Sequence, residues 1–306
     1  MTDNERLLED RIEKIQNVIG KYGEENFYIS FSGGKDSTVL SALIDLALPG
    51  NKIQRVYANT GIELNMIRDF VLEKEKKDER FVIIKPSIPI KPMLEREGYP
   101  FKSKQHAKWV DNYQRKGMYG AIKNYIGEGE KKLYRPCPKK LKYQFGENFN
   151  LRISDKCCYR LKEEPLERYM KENGVKYAIT GIMREEGGRR MNAQCLAFSG
   201  KKLLQFHPLA MVTKSFEDWF IEKYHIDICD IYKPPYNFER TGCKGCPFAL
   251  HLQNELDVLE KYFPNERKQC ESIWKPVYDE YRRIGYRLKK NDEYRQMDIK
   301  DYGVTT

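Results

Sequence analysis

The sequence predicts an α/β fold, a doubly wound parallel sheet, and three observations predict it. Short apolar runs of strand length alternate with amphipathic helical patterns through most of the 306 residues, an order that gives parallel strands joined by right-handed crossovers. The first run, "FYISF" (residues 27–31), leads through the glycine pair Gly33 and Gly34 straight into a helical pattern with apolar residues at Val39, Leu40, Leu43, Ile44 and Leu46. Residues 32–37 and 59–63 both fall beyond the carboxyl ends of predicted strands, where the ligands of such sheets sit.

In order along the chain, residues 3–22 read as an amphipathic helix, and the strand, turn and helix just described follow. "KIQRVYANTG" gives a second strand ending at Thr60 and Gly61, residues 64–76 a helix, and "RFVIIKPS" a third strand. A basic insertion at about residues 98–150 interrupts the alternation. Residues 161–173 then form a helix, "KYAITG" and "LLQFHPLA" two more strands, and residues 216–224 another helix. Residues 250–283 read as two helices broken near Pro264, since proline cannot continue a helix from the preceding turn. There is no internal repeat and no low-complexity linker. The expected organisation is one domain, residues 1–250, with a helical C-terminal extension, residues 251–306.

Hydrophobic content of 40% and charged content of 33% describe a soluble globular chain, and no apolar run approaches the roughly 20 residues of a membrane span. The opening "MTDNERLLEDRIEKI" is acidic and helical in pattern, unlike a signal peptide, so a cytoplasmic location is expected, with no membrane partner. There, eight cysteines are reduced, metal-binding or catalytic before they are disulfides. The net charge of +10 is concentrated: residues 101–143 hold twelve Lys or Arg against three acids, interleaved with Trp109, Tyr113, Tyr119, Tyr125, Tyr134 and Tyr143. Such a segment is either a solvated lysine-rich loop region or a surface for a nucleic-acid backbone with occasional base stacking.

A strand, a tight turn and a helix aim backbone N–H groups and a positive helix end at one spot, which suits an anion. "SGGKDS" lacks the Gly-Lys-Ser/Thr of a Walker loop, because Asp36 intervenes, and lacks the third glycine of the dinucleotide fingerprint. Around a pyrophosphate it is chemically coherent. Gly33 and Gly34 permit close backbone approach, Ser32 and Ser37 donate hydroxyls, Lys35 neutralises charge, and Asp36 is placed to hold Mg2+. The hexapeptide resembles the PP-loop of the ATP pyrophosphatases, enzymes that adenylate a substrate and release pyrophosphate. That resemblance implies an adenine nucleotide alpha-hydrolase-like fold, ATP as ligand, and Lys35 and Asp36 as catalytic residues.

Cys157 and Cys158 in "SDKCCYRLKEEPLERYM", with Cys243 and Cys246 in "RTGCKGCPF", form a second constellation. Two thiolates three apart on a turn converge on one metal, and an adjacent pair can add two more, so a tetrahedral zinc site is open to this donor set. A redox disulfide between Cys243 and Cys246 is a further alternative. The double cysteine, Lys162, Pro165-Leu166 and the Cys-x-x-Cys some 85 residues later resemble the phosphoadenosine phosphosulfate (PAPS) reductase family. In that family four such cysteines carry a 4Fe-4S cluster. The resemblance runs over roughly residues 27–248 and includes "NTGIE" (Thr60, Gly61, Glu63), "TGIMREEGGRR" and "HPLAMVTKSFEDWF". It implies that Thr60, Gly61 and Glu63 line the nucleotide site and that Arg184, Arg189 and Arg190 hold phosphates, a task suited to the guanidinium fork.

The resemblance departs from the sulfonucleotide reductases at the nucleophile, because nothing after Cys246 spells their Glu-Cys-Gly-Leu-His stretch. Cys270, in "ERKQCESIW", is the only later cysteine and lies in a predicted helix, where it reads first as a packed or idle helix cysteine and second as a nucleophile. An intact PP-loop beside a reductase-type cysteine quartet resembles the sulfur-inserting members of the superfamily, DNA phosphorothioation enzymes and, more distantly, tRNA thiolases. The implied partners are tRNA or DNA, through the basic insertion, and a sulfur donor such as a cysteine desulfurase. The implied reaction is adenylation of an acceptor oxygen with pyrophosphate release, then displacement of AMP by sulfur. A persulfide on Cys137, Cys195 or Cys270 is the candidate carrier; of these, Cys137 in the basic "YRPCPKK" has the surroundings that most favour a lowered pKa, with a structural role as its alternative. With all four cluster cysteines on iron, no iron is left open for an extra sulfide. The rival readings are a PAPS or adenosine phosphosulfate reductase with Cys270 as nucleophile, and a non-catalytic nucleotide-binding cluster protein.

Overall fold

A computed structural model of the chain describes residues 1–290, the side chains of residues 188 and 189 excepted. The chain opens with α1 (Asp3–Tyr22), β1 (Phe27–Ser30), α2 (Lys35–Ala47), β2 (Gln54–Ala58), α3 (Asn65–Lys77) and β3 (Phe81–Ile84). Within the basic insertion and just before it lie α4 (Ile90–Glu97), α5 (Lys104–Lys116) and α6 (Gly120–Ile126). Then come α7 (Glu164–Asn173), β4 (Tyr177–Ile179), β5 (Leu196–Ser199), β6 (Lys202–Phe206), α8 (Lys214–Lys223), α9 (Leu252–Tyr262) and α10 (Pro264–Ile284). These elements group into two units. One holds Met1–Ser87 with Lys162–Thr241, and the other holds Ile88–Leu161 with the described residues from Gly242 on. The basic insertion and the C-terminal helices, expected as separate additions to one domain, fall in the same unit.

The first unit is the doubly wound sheet. Its order is β3-β2-β1-β4-β6-β5, parallel throughout except that β5 runs antiparallel to β6. Because side chains alternate along a strand, Phe27 and Ile29 of β1 face one layer and Tyr28 the other. The first layer is α1, α2 and α8, packed through Leu8, Ile15, Leu40, Leu43, Phe216 and Phe220. α3 joins this side, covering Phe31 and Tyr57 through Val71, because these residues share the strand parity of Ile29. On the opposite face α7 covers Tyr28 and Val56 through Tyr169. α1 starts on a reciprocal cap: the Glu5 amide donates to Thr2 Oγ1 at 3.2 Å and the Thr2 amide donates to Glu5 Oε2 at 2.8 Å. Strand order reverses between β1 and β4, so the carboxyl ends of these two strands form the switch point of the sheet.

In the second unit, α5 and α6 pack around an aromatic core of Phe101, Tyr125, Phe145 and Tyr281, all buried. His106 sits within it, between the Tyr125 hydroxyl (2.9 Å to Nδ1) and Gln144 Oε1 (2.7 Å from Nε2). Since an amide oxygen only accepts, Nε2 carries the proton and Nδ1 accepts from Tyr125. Burial lowers the His106 pKa to about 4, and Lys102 and Arg287 push the same way. No helix among the described residues is long and apolar enough to cross a membrane.

Candidate functional site

The turn from β1 into α2 is shaped by two glycines. Gly33 has φ +72°, and a Cβ there would stand 2.8 Å from Val71 Cγ2 and 2.9 Å from Ile67 Cγ2, so no other residue fits against α3. Gly34 is the N-cap of α2 and contributes no side chain to its end. The loop's own hydroxyls hold its shape. Ser37 Oγ donates to the Gly34 carbonyl at 2.9 Å and lies 3.1 Å from Ser32 Oγ, while the Ser32 amide donates to Ser37 Oγ at 3.2 Å. From β4 the chain passes so close that a Cβ on Gly181 would lie 3.1 Å from the Asp36 carbonyl oxygen. The switch point therefore brings "TGIMREEGG" onto the first turn of α2.

Around that turn a set of charges converges that the sequence did not single out. Lys35 Nζ stands 3.1 Å from Glu217 Oε2 and 3.1 Å from Asp218 Oδ1, both on α8. Burial alone would lower the Lys35 pKa; Glu217 and Asp218 outweigh it and raise it. Burial, then the charge of Glu186, raises the Asp36 pKa, and burial, then Asp36, pushes Glu217 up to about 7. Glu186 binds Arg190 through one carboxylate oxygen and Arg240 through the other, the latter at 2.5 Å. Lys35, Asp36, Glu186, Glu217 and Arg240 line a cavity of about 230 Å3. A second recess of about 100 Å3 is lined by Ser32, Gly34, Arg190, Tyr232 and Thr241. Glu186, Glu217, Asp218 and Arg240 all lay within quoted segments, but a pairing such as that of Glu217 with Lys35 spans 182 positions and leaves no mark in local sequence.

The other expected nucleotide residues play distinct parts. Thr60 Oγ1 donates to Glu63 Oε1 at 2.5 Å, and the Thr60 amide reaches the same oxygen at 3.4 Å, so Glu63 folds back on the end of β2 and braces it. Gly61, at φ +76°, has open space where a Cβ would be. Arg184 Nε donates to the Ala193 carbonyl at 2.6 Å and so fixes the shape of its own segment. Arg190 reaches the recess beside Ser32, whereas the Arg189 side chain lies outside the described residues.

Cys157, Cys158, Cys243 and Cys246 all belong to the second unit. Glu97, at the end of α4, takes Lys156 at 3.0 Å and Arg160 at 3.1 Å, and so clasps the chain on both sides of Cys157 and Cys158. A π-helical stretch, Tyr159–Glu163, follows the pair. The Cys243–Cys246 turn is bolted to one face of α10. Trp274 Nε1 donates to the Lys244 carbonyl at 3.1 Å, the Tyr278 hydroxyl to the Gly245 carbonyl, and the Tyr281 hydroxyl to the Pro247 carbonyl at 2.9 Å. Lys244 itself is buried, its Nζ 3.0 Å from Glu266 Oε2 and 2.7 Å from Gln269 Oε1. The sulfurs sense one another. The Cys157 pKa is raised by its hydrogen bond with the Cys158 thiol, then by burial and by Cys158, Cys246 and Cys243. Burial and then Cys243 raise Cys246. None of the eight cysteines is in a disulfide. These four thiols raise one another's pKa, a mutual repulsion that a cationic metal group would relieve. Among the described residues, no group of three or more His, Cys, Asp or Glu side chains is arranged to hold a metal ion.

The remaining thiols are structural in their surroundings. Basic neighbours favoured a lowered pKa for Cys137; burial instead pushes it up to about 11 against the pull of Lys102 and Lys142. The charges are adjacent in sequence, but the thiol points inward, near the Pro138 carbonyl. Cys270 is fully buried under the Cys243–Cys246 turn, where a Cβ on Gly245 would stand 2.9 Å from its sulfur, and burial pushes its pKa up to about 12. Burial also raises Cys195, half-buried beside Arg11. Of the insertion's aromatics, Tyr125 is core and stacks on Trp109, and Tyr143 donates to Glu280. Tyr134, 94% exposed with Arg135 over its ring, and Tyr119 are left at the surface.

The family model of the phosphoadenosine phosphosulfate reductase domain matches residues 26–249. A search of curated proteins finds no match. Among solved structures the chain is similar to the phosphoadenylyl-sulfate (PAPS) reductase from Candida auris, at 12% identity over 76% of this chain and 93% of that one, TM-score 0.43. It is similar to the U34-tRNA thiolase from Methanococcus maripaludis with its 4Fe-4S cluster, at 15% identity over 90% and 80% of the two chains, TM-score 0.38. It is also similar to the NH3-dependent NAD synthetase from Campylobacter jejuni, at 12% identity over 90% and 96%, TM-score 0.42.

Proposed function

The chain belongs to the phosphoadenosine phosphosulfate reductase domain family, and from that premise we propose that it is an ATP pyrophosphatase-type enzyme that adenylates an acceptor and supports sulfur transfer to it. The observation that carries the reading is the intact Ser32–Ser37 loop at the N-terminus of α2, glycine-bent and hydroxyl-lined, with Lys35 and Asp36 at the adjoining cavity.

Ser32, Gly33, Gly34, Lys35 and Ser37 bind the triphosphate, and Asp36 holds the Mg2+ that accompanies it. Thr60, Gly61 and Glu63 shape the end of β2 beside the nucleotide. Arg190 takes a phosphate oxygen, Arg189 adds a second cation from the same segment, and Arg184 keeps that segment folded. An oxygen of the acceptor attacks the α-phosphorus, the bond to the bridging oxygen breaks, and pyrophosphate leaves. A sulfur nucleophile then displaces AMP, which carries away the activated oxygen. The chain's contribution is to align the reactants and to place positive charge where negative charge develops.

Cys157, Cys158, Cys243 and Cys246 would hold a 4Fe-4S cluster, with zinc as the alternative occupant; when bound, the cluster supplies redox chemistry for the sulfur step. The raised pKa values of Cys137, Cys195 and Cys270 argue that sulfur arrives from outside the chain, from a donor such as a cysteine desulfurase. The positive insertion, with Tyr134 exposed, supports tRNA or DNA as the acceptor.

The test is pyrophosphate release from ATP by full-length protein purified anaerobically, with tRNA or DNA added and iron and sulfide measured on the same preparation. Release that depends on the nucleic acid and vanishes in Asp36→Ala is expected. No release with either acceptor, or sulfite formed from a sulfonucleotide instead, would overturn the reading.

A further inference from the structure

We propose that Glu217 is the second protein ligand, with Asp36, of a divalent cation at the N-terminal end of α2, and that Lys35 occupies the cation's place on Glu217 when no cation is bound. The inference deepens the nucleotide reading of this loop and rests on it for the cation's remaining partner, a phosphate.

Glu217 is 1% exposed although it is a carboxylate on a surface helix. One oxygen, Oε2, meets Lys35 Nζ at 3.1 Å. The other, Oε1, is buried with no hydrogen-bond partner, and the residue lines the cavity that Asp36 also lines. With both acids ionised that oxygen has no donor, which is costly, and Asp36 offers it only a second carboxylate. The two acids meet this cost by hydrogen-bonding through a retained proton, with Glu217 pushed up to about 7. A hard dication between the two satisfies both, using the oxygen ligands that Mg2+ and Mn2+ prefer. Lys35 then has somewhere to go: its Nζ already stands 3.1 Å from Asp218, which is 68% exposed, and a phosphate bound at the loop would be its second partner. A cation arriving with the nucleotide would thus move Lys35 from carboxylate to phosphate, an exchange of partners with little net change in buried charge.

A purely structural ion pair between Lys35 and Glu217 predicts something different. If Glu217 serves only to hold Lys35, its removal leaves cation binding alone, and so does removal of Lys35. If Lys35 is the resting substitute for the cation, removing it strengthens cation binding.

The experiment is titration of full-length protein with Mn2+, free Mn2+ being read by electron paramagnetic resonance, with and without ATP. Wild type should bind one Mn2+ at this site, Glu217→Gln and Asp36→Asn should each weaken it at least tenfold, and Lys35→Met should tighten it at least threefold without nucleotide. Lys35→Met keeps both carboxylates, so its result does not depend on whether the acid variants fold. Mn2+ binding by Glu217→Gln within twofold of wild type, or no tightening in Lys35→Met, overturns the proposal. ATP affinity measured separately divides the two claims. Glu217-dependent Mn2+ binding in a protein that fails to bind ATP supports the cation site and overturns only the nucleotide reading. ATP binding with Glu217-independent Mn2+ binding does the reverse.

Discussion

Replacing Tyr278 by Phe should loosen the Cys243–Cys246 turn without disturbing the sheet. The Tyr278 ring is fully buried and its hydroxyl donates to the Gly245 carbonyl, itself buried in a turn with φ +59° at Gly245. Tyr278→Phe keeps the ring and its packing but leaves that carbonyl without a donor, at a cost of about 1–3 kcal/mol. Trp274 and Tyr281 still hold the neighbouring carbonyls, so the loss falls on local opening of the turn rather than on global unfolding. With tenfold in an equilibrium per about 1.4 kcal/mol, opening should rise from roughly fivefold to somewhat over a hundredfold. The assay is thiol labelling of chelator-treated full-length protein under anaerobic conditions, with the modified cysteines mapped by peptide mass. Cys243 and Cys246 should label faster by that factor, while Cys229, buried in the other unit, keeps its rate. Unchanged labelling of Cys243 and Cys246 within twofold, or equal acceleration of all three, would refute the view that α10 is a clamp on the turn.

Two further outcomes follow from single groups. His106 titrates at about 4 when folded against 6.5 unfolded, so the stability it contributes is complete above pH 6.5 and falls as pH drops toward 4. By pH 5 this loss is about 2 kcal/mol, read as the difference between wild type and His106→Gln in how urea unfolding changes from pH 7.5 to 5. Only the difference counts, since Glu217 and Glu255, both pushed up to about 7, act in the opposite direction in both proteins; an equal pH dependence in the two counts against the assignment. At the phosphate loop, Gly33→Ala should cost about 1–2 kcal/mol from its left-handed backbone, plus the clash with Val71 and Ile67. Gly61→Ala shares the positive φ but meets nothing within 4 Å, so Gly33→Ala should melt lower and lose ATP affinity, and equal melting temperatures would contradict the clash.

Much of this was legible because it is local. The helix from Asp3 to Tyr22, the strand-turn-helix at Gly33 and Gly34, and the break at Pro264 follow from caps, apolar periodicity and backbone restrictions that neighbouring residues impose. β5 was missed because it is four residues long, half-exposed and joined to β6 through a tight turn at Gly200 with φ +60°, too short to show a period. "LLQFHPLA" read as one strand, but Pro208 ends it and opens a 3-10 turn, since proline has no N–H for the sheet. The two readings of Cys137, reactive or structural, could not be separated in the sequence because a chain shows which charges are adjacent but not which way a side chain points.

The sequence by itself determined the alternating strands and helices, the phosphate-type turn and the two cysteine pairs, because each is written in residues within a few positions of one another. Only the tertiary structure decided that Glu217 and Glu186 converge on Lys35 and Asp36, that α10 grips the Cys243–Cys246 turn, and that the spare thiols are buried. Those are facts about which distant groups share a low-dielectric space, and burial and Coulomb energy depend on separation in three dimensions rather than along the chain.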